Sequence, residues 1–430
     1  MKIRNVLLAT ASLACVAGAV SAQNVAAPGG AVPRAAARPA PGSRLRHLLY
    51  IATPGDSGAD DQSGVVVLDA DHDYRFIKRI PYGLSASQMP GPKISGMASS
   101  VPENKIYVTT DGGSMIAFDL ATDKIAWTFK GEKGPVQRTR GAASGCCERP
   151  WTMPGGHQLL VASSYNNWWY LIDAHSGAVQ GRIDTPEAPN AHNLTVTADG
   201  KLGALAALSS APNAKVAIVD IPSKKVLRYI TFSDAPRPLT MNHDGSLIYV
   251  NVNNLDGFEI GDTKTGKMIK RVELPGNMWK AKWADPNSHH FGHGLPSHGI
   301  GMTPDESEIW VTDGANDAWQ IWDNPGDGRN PVYNPAKAVP VQKDVGGSAW
   351  ISMTNDGKLA FVGDGSIIDV KAHKVIGIMK DEYGHPIHAT EKVMYGTFNE
   401  EGKLVESSNQ FAMGMEDAYK ARINNKQASN

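Results

Sequence analysis

Two arginines and two histidines recur at one position in this chain: Arg149 in RPWTM, His192 in HNLTV, Arg237 in RPLTM and His298 in HGIGM, each the same distance ahead of a tight turn. A fifth copy, AWISM, has Ala349 there. Gathered round one axis, such groups would focus a positive field on a small volume. That suits a small anion, such as a carboxylate or phosphate, or a metal ion held by the imidazoles. It would also suit catalysis. A histidine base beside an arginine clamp is what β-elimination from an acidic substrate, or lactone hydrolysis, requires, with Glu148 and Tyr383 as further groups. The plainer alternative is that each cation braces a neighbouring loop carboxylate. Four residues further in come Met153, Met241, Met302 and Met353. They are soft enough to ligate Cu(I), but inward methionines are more often core packing.

A second group lies in SHHFGHGLPSHG, where His289, His290, His293 and His298 fall within ten residues, and in GHPIH, with His385 and His388. Together with His192 these could supply two or three imidazoles to a transition metal: copper, zinc, manganese or iron. The alternative is a set of hydrogen-bonded loop histidines. His47, His72, His157, His175, His243 and His373 fall in hairpin turns or strand ends and are expected to be solvated. The third signal is GCCERPW, where Cys146 and Cys147 are adjacent and lead directly to Arg149. They either close a strained eight-membered ring with each other or remain thiols. There is no CxxC, no CxxCH for haem, no G-x-S-x-G elbow, no H-E-x-x-H and no phosphate-binding glycine loop opening a helix.

The chain has 430 residues with 42 Lys+Arg against 43 Asp+Glu, a formal charge of -1. That balance excludes a general nucleic-acid binder. Gly (44) and Pro (27) make it turn-rich, but 41% hydrophobic residues exclude a disordered or collagen-like chain. Residues 1–22 read as a secretory signal: Lys2 and Arg4, an apolar run from Val6 to Val20, then a V-S-A cleavage site at Ala22. The run is too short for a membrane span of about 20 residues, and no later stretch reaches that length, so no transmembrane segment is expected. Residues 23–45 are rich in Ala, Pro and Gly and read as a disordered linker. The only charges in residues 1–45 are Lys2, Arg4, Arg34, Arg38 and Arg44. Those five cations, set against -1 overall, leave the body at -6. A periplasmic or secreted protein is expected, and an oxidising compartment would favour the disulfide.

The elements that must position these residues repeat. Short apolar strands recur as LLYIAT, KIYVTT, LLVASS, LGALAAL, LIYVNV, EIWVTD and LAFVGD. Each leads through a turn to a second strand ending in Asp69, Asp119, Asp173, Asp220, Asp262, Asp323 or Asp369, six steps over 300 residues and a mean period of 50. Asp-Gly and Asn-Asp-Gly turns supply the positive φ that tight hairpins demand. Four short strands cannot bury both faces alone, whereas seven such units stacked radially can. The expected fold is all-β: a seven-bladed β-propeller over residues 46–405, closed by VMYGTFNEEGKLV (393–405), with a tail over 406–430 that is helical near Met415–Arg422.

SHGIGMTPDESEIWVTDGANDAWQIWDN, LTMNHDGSLIYVNVN and KIYVTTDGGSMIAFDLATDKIAW resemble the YVTN-type β-propeller repeat, over roughly residues 46–405. PGG at 154–156 and the insert SSAPNA at 209–214 depart from it. The resemblance implies the fold. The architecture hosts binding proteins, lactonases, lyases, quinoprotein subunits and copper enzymes, so it implies no single function. The Cys146–Cys147 pair is similar to the vicinal disulfide of quinoprotein alcohol dehydrogenases, which stacks on the quinone, but the tryptophan-docking motif repeated in those enzymes is absent here. A copper enzyme like the nitrous oxide reductase propeller would need that family's cupredoxin domain. The expectation is a binding protein for a metal ion or small anion at a His/Arg-lined channel mouth, which could be accessory to a periplasmic redox partner. The alternative is a propeller enzyme of lyase or lactonase type, or a copper- or quinone-dependent oxidoreductase. In that case His192 or His298 is the base and Arg149 and Arg237 the clamp. A bare interaction scaffold is the remaining reading.

Overall fold

The computed structural model describes residues 44–53, 63–83, 94–110, 113–132, 147, 149–164, 166–275, 296–314, 316–340, 350–387 and 392–428. Seven antiparallel sheets follow one another along the chain. Blade 1 holds Arg46–Thr53, Gly64–Asp69 and Arg75–Pro81. The C-terminal strands Val393–Phe398 and Leu404–Ser407 complete it. Blades 2 to 5 run from Ile94–Ser100 to Lys124–Lys130, Pro150–Thr152 to Val179–Asp184, Ala191–Val196 to Lys225–Thr231, and Pro236–Met241 to Lys267–Glu273. Blade 6 runs from Ile300–Met302 to Ala318–Asp323, which pairs with two short outer strands, Val332–Tyr333 and Val339–Pro340. Blade 7 runs from Ile351–Met353 to Lys374–Ile378. The first strands of successive blades touch one another, so they line the axis. This is a seven-bladed β-propeller.

Burial follows position in the blade. The second strand of blade 5, LIYVNV, is buried along its whole length, because other blades cover both of its faces. The outermost strand of blade 2, KIAWTFK, alternates exposed and half-buried residues, because only one face meets protein. The apolar clusters accordingly sit between blades: Tyr50, Val65 and Val67 pack with Ile106, Val108 and Phe118 across blades 1 and 2. Trp169 and Tyr170, adjacent in sequence, enter different clusters on the two faces of blade 3. The recurring aspartates cap turns. Asp119 Oδ1 accepts from the backbone N–H of Ala121 and Thr122, Asp262 Oδ1 from Thr265 and Asp369 Oδ1 from Ala372, at 2.8–3.0 Å.

Antiparallel strands put the start of every inner strand at one mouth, here called the upper, and the hairpin after it at the lower. The lower hairpins of blades 4, 5 and 7 place Gly200, Gly245 and Gly357 at φ near +70°. Blade 6 has Glu306 at that position, at φ +60°, and its carboxylate has a task. Glu306 Oε1 accepts from the backbone N–H of His243 at 2.5 Å and contacts His243 Nδ1 at 2.6 Å.

After Ser407 the chain enters the channel. Met353 N–H donates to Asn409 O at 3.2 Å, Met302 N–H to Ala412 O at 2.5 Å, Gly414 N–H to Met241 O at 3.0 Å and Met415 N–H to Pro304 O at 2.8 Å. Thr240 Oγ1 also donates to Ala412 O, at 2.8 Å. One extended segment therefore pairs with inner strands of blades 5, 6 and 7. The helix Glu416–Ala428 then lies at the lower mouth, where Tyr419 stacks on His243 with ring centroids 4.4 Å apart. Gly414 passes so close to Glu306 that a Cβ would collide with its Cγ, Cδ and Oε1. Because His243 holds that carboxylate, Gly414→Ala is expected to destabilise the fold by about 1–3 kcal/mol in denaturant unfolding, with Gly377→Ala, likewise at ordinary φ and with a Cβ that makes only van der Waals contact, as the reference for loss of a glycine.

Candidate functional site

The upper ends of the inner strands of blades 4 and 5 are irregular where His192 and Arg237 sit. In blade 4 the ladder passes from Ala191↔Ala207 to Asn193↔Ala206, leaving His192 as the extra residue of a bulge. In blade 5 it skips from Pro236↔Val252 to Leu239↔Val250, with Arg237 inside the irregular step. Blade 2 repeats the pattern between Ile94 and Gly96. Bulges re-aim side chains at strand ends, which is how a residue in an inner strand comes to serve a mouth rather than the ladder.

Two cations and a histidine from three different blades meet on one ring at the upper mouth. Trp350, just ahead of the inner strand of blade 7, has Arg149 Cζ of blade 3 at 4.1 Å from its centroid, Lys392 Nζ of blade 1 at 5.4 Å, and the His298 ring of blade 6 edge-on at 6.3 Å. Arg149 is 7% exposed and His298 3%. Arg149 also stands over Phe411 of the channel segment, Cζ to centroid 3.7 Å, and its Nη2 donates to Gln410 O at 2.7 Å. Burial alone draws the Arg149 guanidinium well below the usual arginine range. No carboxylate pairs with it among the described residues. The Trp350 indole N–H is buried and has no acceptor among them either. His192 and Arg237 are buried at the same register on blades 4 and 5, with Arg237 Nε donating to Asn253 Oδ1 at 2.5 Å. The chain of contacts thus joins Arg149 and His298 through Trp350. His192 and Arg237 share their position in the blade.

The remaining expected residues separate. His385 is exposed on the loop after blade 7, its Nδ1 3.6 Å from Asp381, outside the buried group. His289, His290, His293, His388, Cys146 and Glu148 lie outside the described residues. Among the described residues no three His, Cys, Asp or Glu side chains form a set able to hold a metal. Met153, Met241, Met302 and Met353 are buried in the interblade clusters. Cys147 is buried and disulfide-bonded, against Ala98 and Tyr107 between blades 2 and 3. The histidines expected to be solvated each meet a carboxylate. His157 and His175 share Glu103, at 2.7 and 2.8 Å, while His243 on Glu306 and His373 on Glu308 are largely covered.

Trp350, Lys392, Gln410 and Phe411 are members of the group that the charged register does not mark. Trp350 stands one residue past the Ala349 position and Lys392 just ahead of the closing strand, so both are within reach of a reading by register. Gln410 and Phe411 belong to no repeat.

Beside this group lies a buried acid pair. Asp256, in the upper loop of blade 5, accepts from Ser297 Oγ at 3.3 Å through Oδ1, and its Oδ2 is buried with no hydrogen-bond partner among the described residues. Asp313 of blade 6 accepts from Asn316 Nδ2 and Gln320 Nε2 at 2.6 and 2.8 Å. Burial, and then the charge of Asp313, push the Asp256 carboxyl up to about 7.

No protein-family model matches the chain, and no curated protein matches it. Among solved structures, a chain of Kuenenia stuttgartiensis hydrazine synthase aligns with TM-score 0.48 and 16% identity, over 66% of this chain and 78% of that one. The repeat resemblance therefore rests on the quoted segments and the architecture.

The folded protein holds the Asp256 proton more tightly than the unfolded chain does. The resulting stabilisation is complete below the unfolded value near 4 and is lost as pH rises through about 7. The stability of Asp256→Asn relative to wild type should thus increase between pH 5 and pH 8, by on the order of 2 kcal/mol in urea unfolding. A difference that stays constant with pH would mean that Asp256 ionises as in the unfolded chain.

Proposed function

We propose that this chain is an exported β-propeller protein that binds a small anionic ligand, a carboxylate or phosphate, at the upper mouth of its channel. The observation that carries this reading is the Arg149 guanidinium, buried against Trp350 and Phe411 with no carboxylate beside it among the described residues. Removing a guanidinium from water costs several kcal/mol. Each aromatic face returns about 0.5–2 kcal/mol, and one backbone carbonyl satisfies one of its five N–H groups. A bound oxyanion would offset the rest, and the Trp350 indole N–H is a second donor in the same place. Lys392, His298, His192 and Arg237 would add positive potential around it. Export is supported by the signal-like residues 1–22 and by the disulfide at Cys147.

A second reading, a propeller enzyme, is favoured by Asp256. A carboxyl titrating near 7, hydrogen-bonded to the residue before His298, has the proton affinity of a general acid–base group. The metal reading would draw on His192 and His298, with His289, His290, His293 and His388 outside the described residues.

Calorimetric titration of protein exported to the periplasm with acetate, succinate, inorganic phosphate and sulfate tests the main reading. Binding of at least one of these, weakened tenfold or more in Arg149→Gln (about 1.4 kcal/mol), is expected. Stoichiometric copper, zinc, manganese or iron in the purified protein, lost in His298→Ala, with no anion bound, would instead assign the mouth to a metal. Turnover of lactones or acidic sugars, abolished in Asp256→Asn, would favour the enzyme.

A further inference from the structure

We propose that the channel segment Ser408–Met415 is a fixed part of the upper-mouth site, with Phe411 as the residue that positions the Arg149 guanidinium for its ligand. This rests on the anion reading of that mouth.

The segment is built in rather than laid on. Its backbone pairs with Met353, Met302 and Met241, inner-strand residues of three blades, and with Pro304 in the lower hairpin of blade 6. Its small residues sit where nothing larger fits. A Cβ on Gly301 would strike Ala412, and one on Gly414 would strike Glu306. Asn409 Nδ2 donates to Met413 O at 2.6 Å, holding the segment's own bend. At the lower end Met415 bonds to Pro304 and the helix begins, with Tyr419 on His243. Along this path the interior of the channel is filled by the protein itself, so a ligand at Arg149 enters and leaves by the upper face.

Phe411 is where this segment meets the cation. Its ring lies 4.0 Å from that of Trp151, the inner-strand residue two after Arg149, and 3.7 Å from Arg149 Cζ. The neighbouring carbonyl, Gln410 O, fixes Nη2. With Trp350 against the same guanidinium, aromatic faces occupy the space over the ion and leave recognition to its N–H edge. An edge with parallel N–H groups is the part of arginine that takes two oxygens of a carboxylate or phosphate at once. Phe411 touches the ligand's partner rather than the ligand, so it acts by holding the edge in place.

Full-length wild type, Phe411→Leu, Phe411→Tyr and Arg149→Gln are titrated with acetate, succinate and inorganic phosphate, and their melting temperatures measured. Leucine keeps the apolar bulk and removes the π face, whereas tyrosine keeps the π face. Affinity for the best-bound anion about three- to tenfold lower in Phe411→Leu, restored in Phe411→Tyr, is expected. If leucine lowers the melting temperature, Phe411→Met, which fills the gap flexibly, takes its place with the same expectation. Wild-type affinity in Phe411→Leu and Phe411→Met, with binding lost in Arg149→Gln, would overturn the positioning role and leave the anion site standing. Absence of binding by wild type would remove both.

Discussion

The pairing of the first strand with one from near the C-terminus governs the rest of the molecule. Arg46–Ile51 lies antiparallel to Val393–Phe398, in a register that runs from Arg46↔Phe398 to Ile51↔Val393. A stack of twisted sheets joined only in sequence order would leave an open edge at each end, each presenting unpaired backbone groups. Joining blade 1 from both termini removes those edges. It also fixes where the axis lies, because the strand supplied by the C-terminus takes the inner place in that blade. Lys392 then comes to the upper mouth, and the chain leaving Leu404–Ser407 is delivered to the mouth of the channel.

That delivery fills the channel. The inner strands point apolar side chains such as Met241, Met302 and Met353 between blades and offer backbone groups to the axis. An axis lined by free N–H and C=O groups would have to be wet. Here the segment after Ser407 satisfies several of them with its own backbone, and does so across three blades. Closure of the ring and occupation of its centre thus come from one continuous stretch of chain. The same stretch brings Gln410 and Phe411 to Arg149.

The ring is legible in sequence because its determinants are local and repeat. A strand, an Asp that caps the next turn and a glycine at positive φ recur every 50 residues or so, and each copy corroborates the others. The register of Arg149, His192, Arg237 and His298 comes from the same period. Features without a period are illegible. Phe411 and Gln410 reach Arg149 across 261 or more residues by a path that no repeat describes. Glu306 occupies a glycine position because of its bonds to His243, 63 residues away. His157 and His175 are exposed, as each reads when taken alone, but only the packing of blade 3 on blade 2 puts both on Glu103. Trp350 carries no charge and sits one place outside the charged register, so that pattern passes over it, although its ring is what Arg149, Lys392 and His298 all meet.

Charge pairing gives the upper mouth its meaning. Several cations elsewhere in the described residues are matched by carboxylates. Lys337 meets Glu308 and Asp323, Arg329 meets Asp262, Arg79 makes a two-pronged contact with Glu382, and Lys215 meets Glu187. Each such carboxylate compensates for the water its partner gives up. At Arg149 the compensation comes instead from two aromatic faces and a carbonyl dipole, a weaker set. Among the described residues the acid beside this group, Asp256, is bonded to Ser297, and burial and the charge of Asp313 disfavour its ionised form. A guanidinium buried against two aromatic rings and one carbonyl, with no carboxylate beside it among the described residues, is the feature on which the proposed anion site rests.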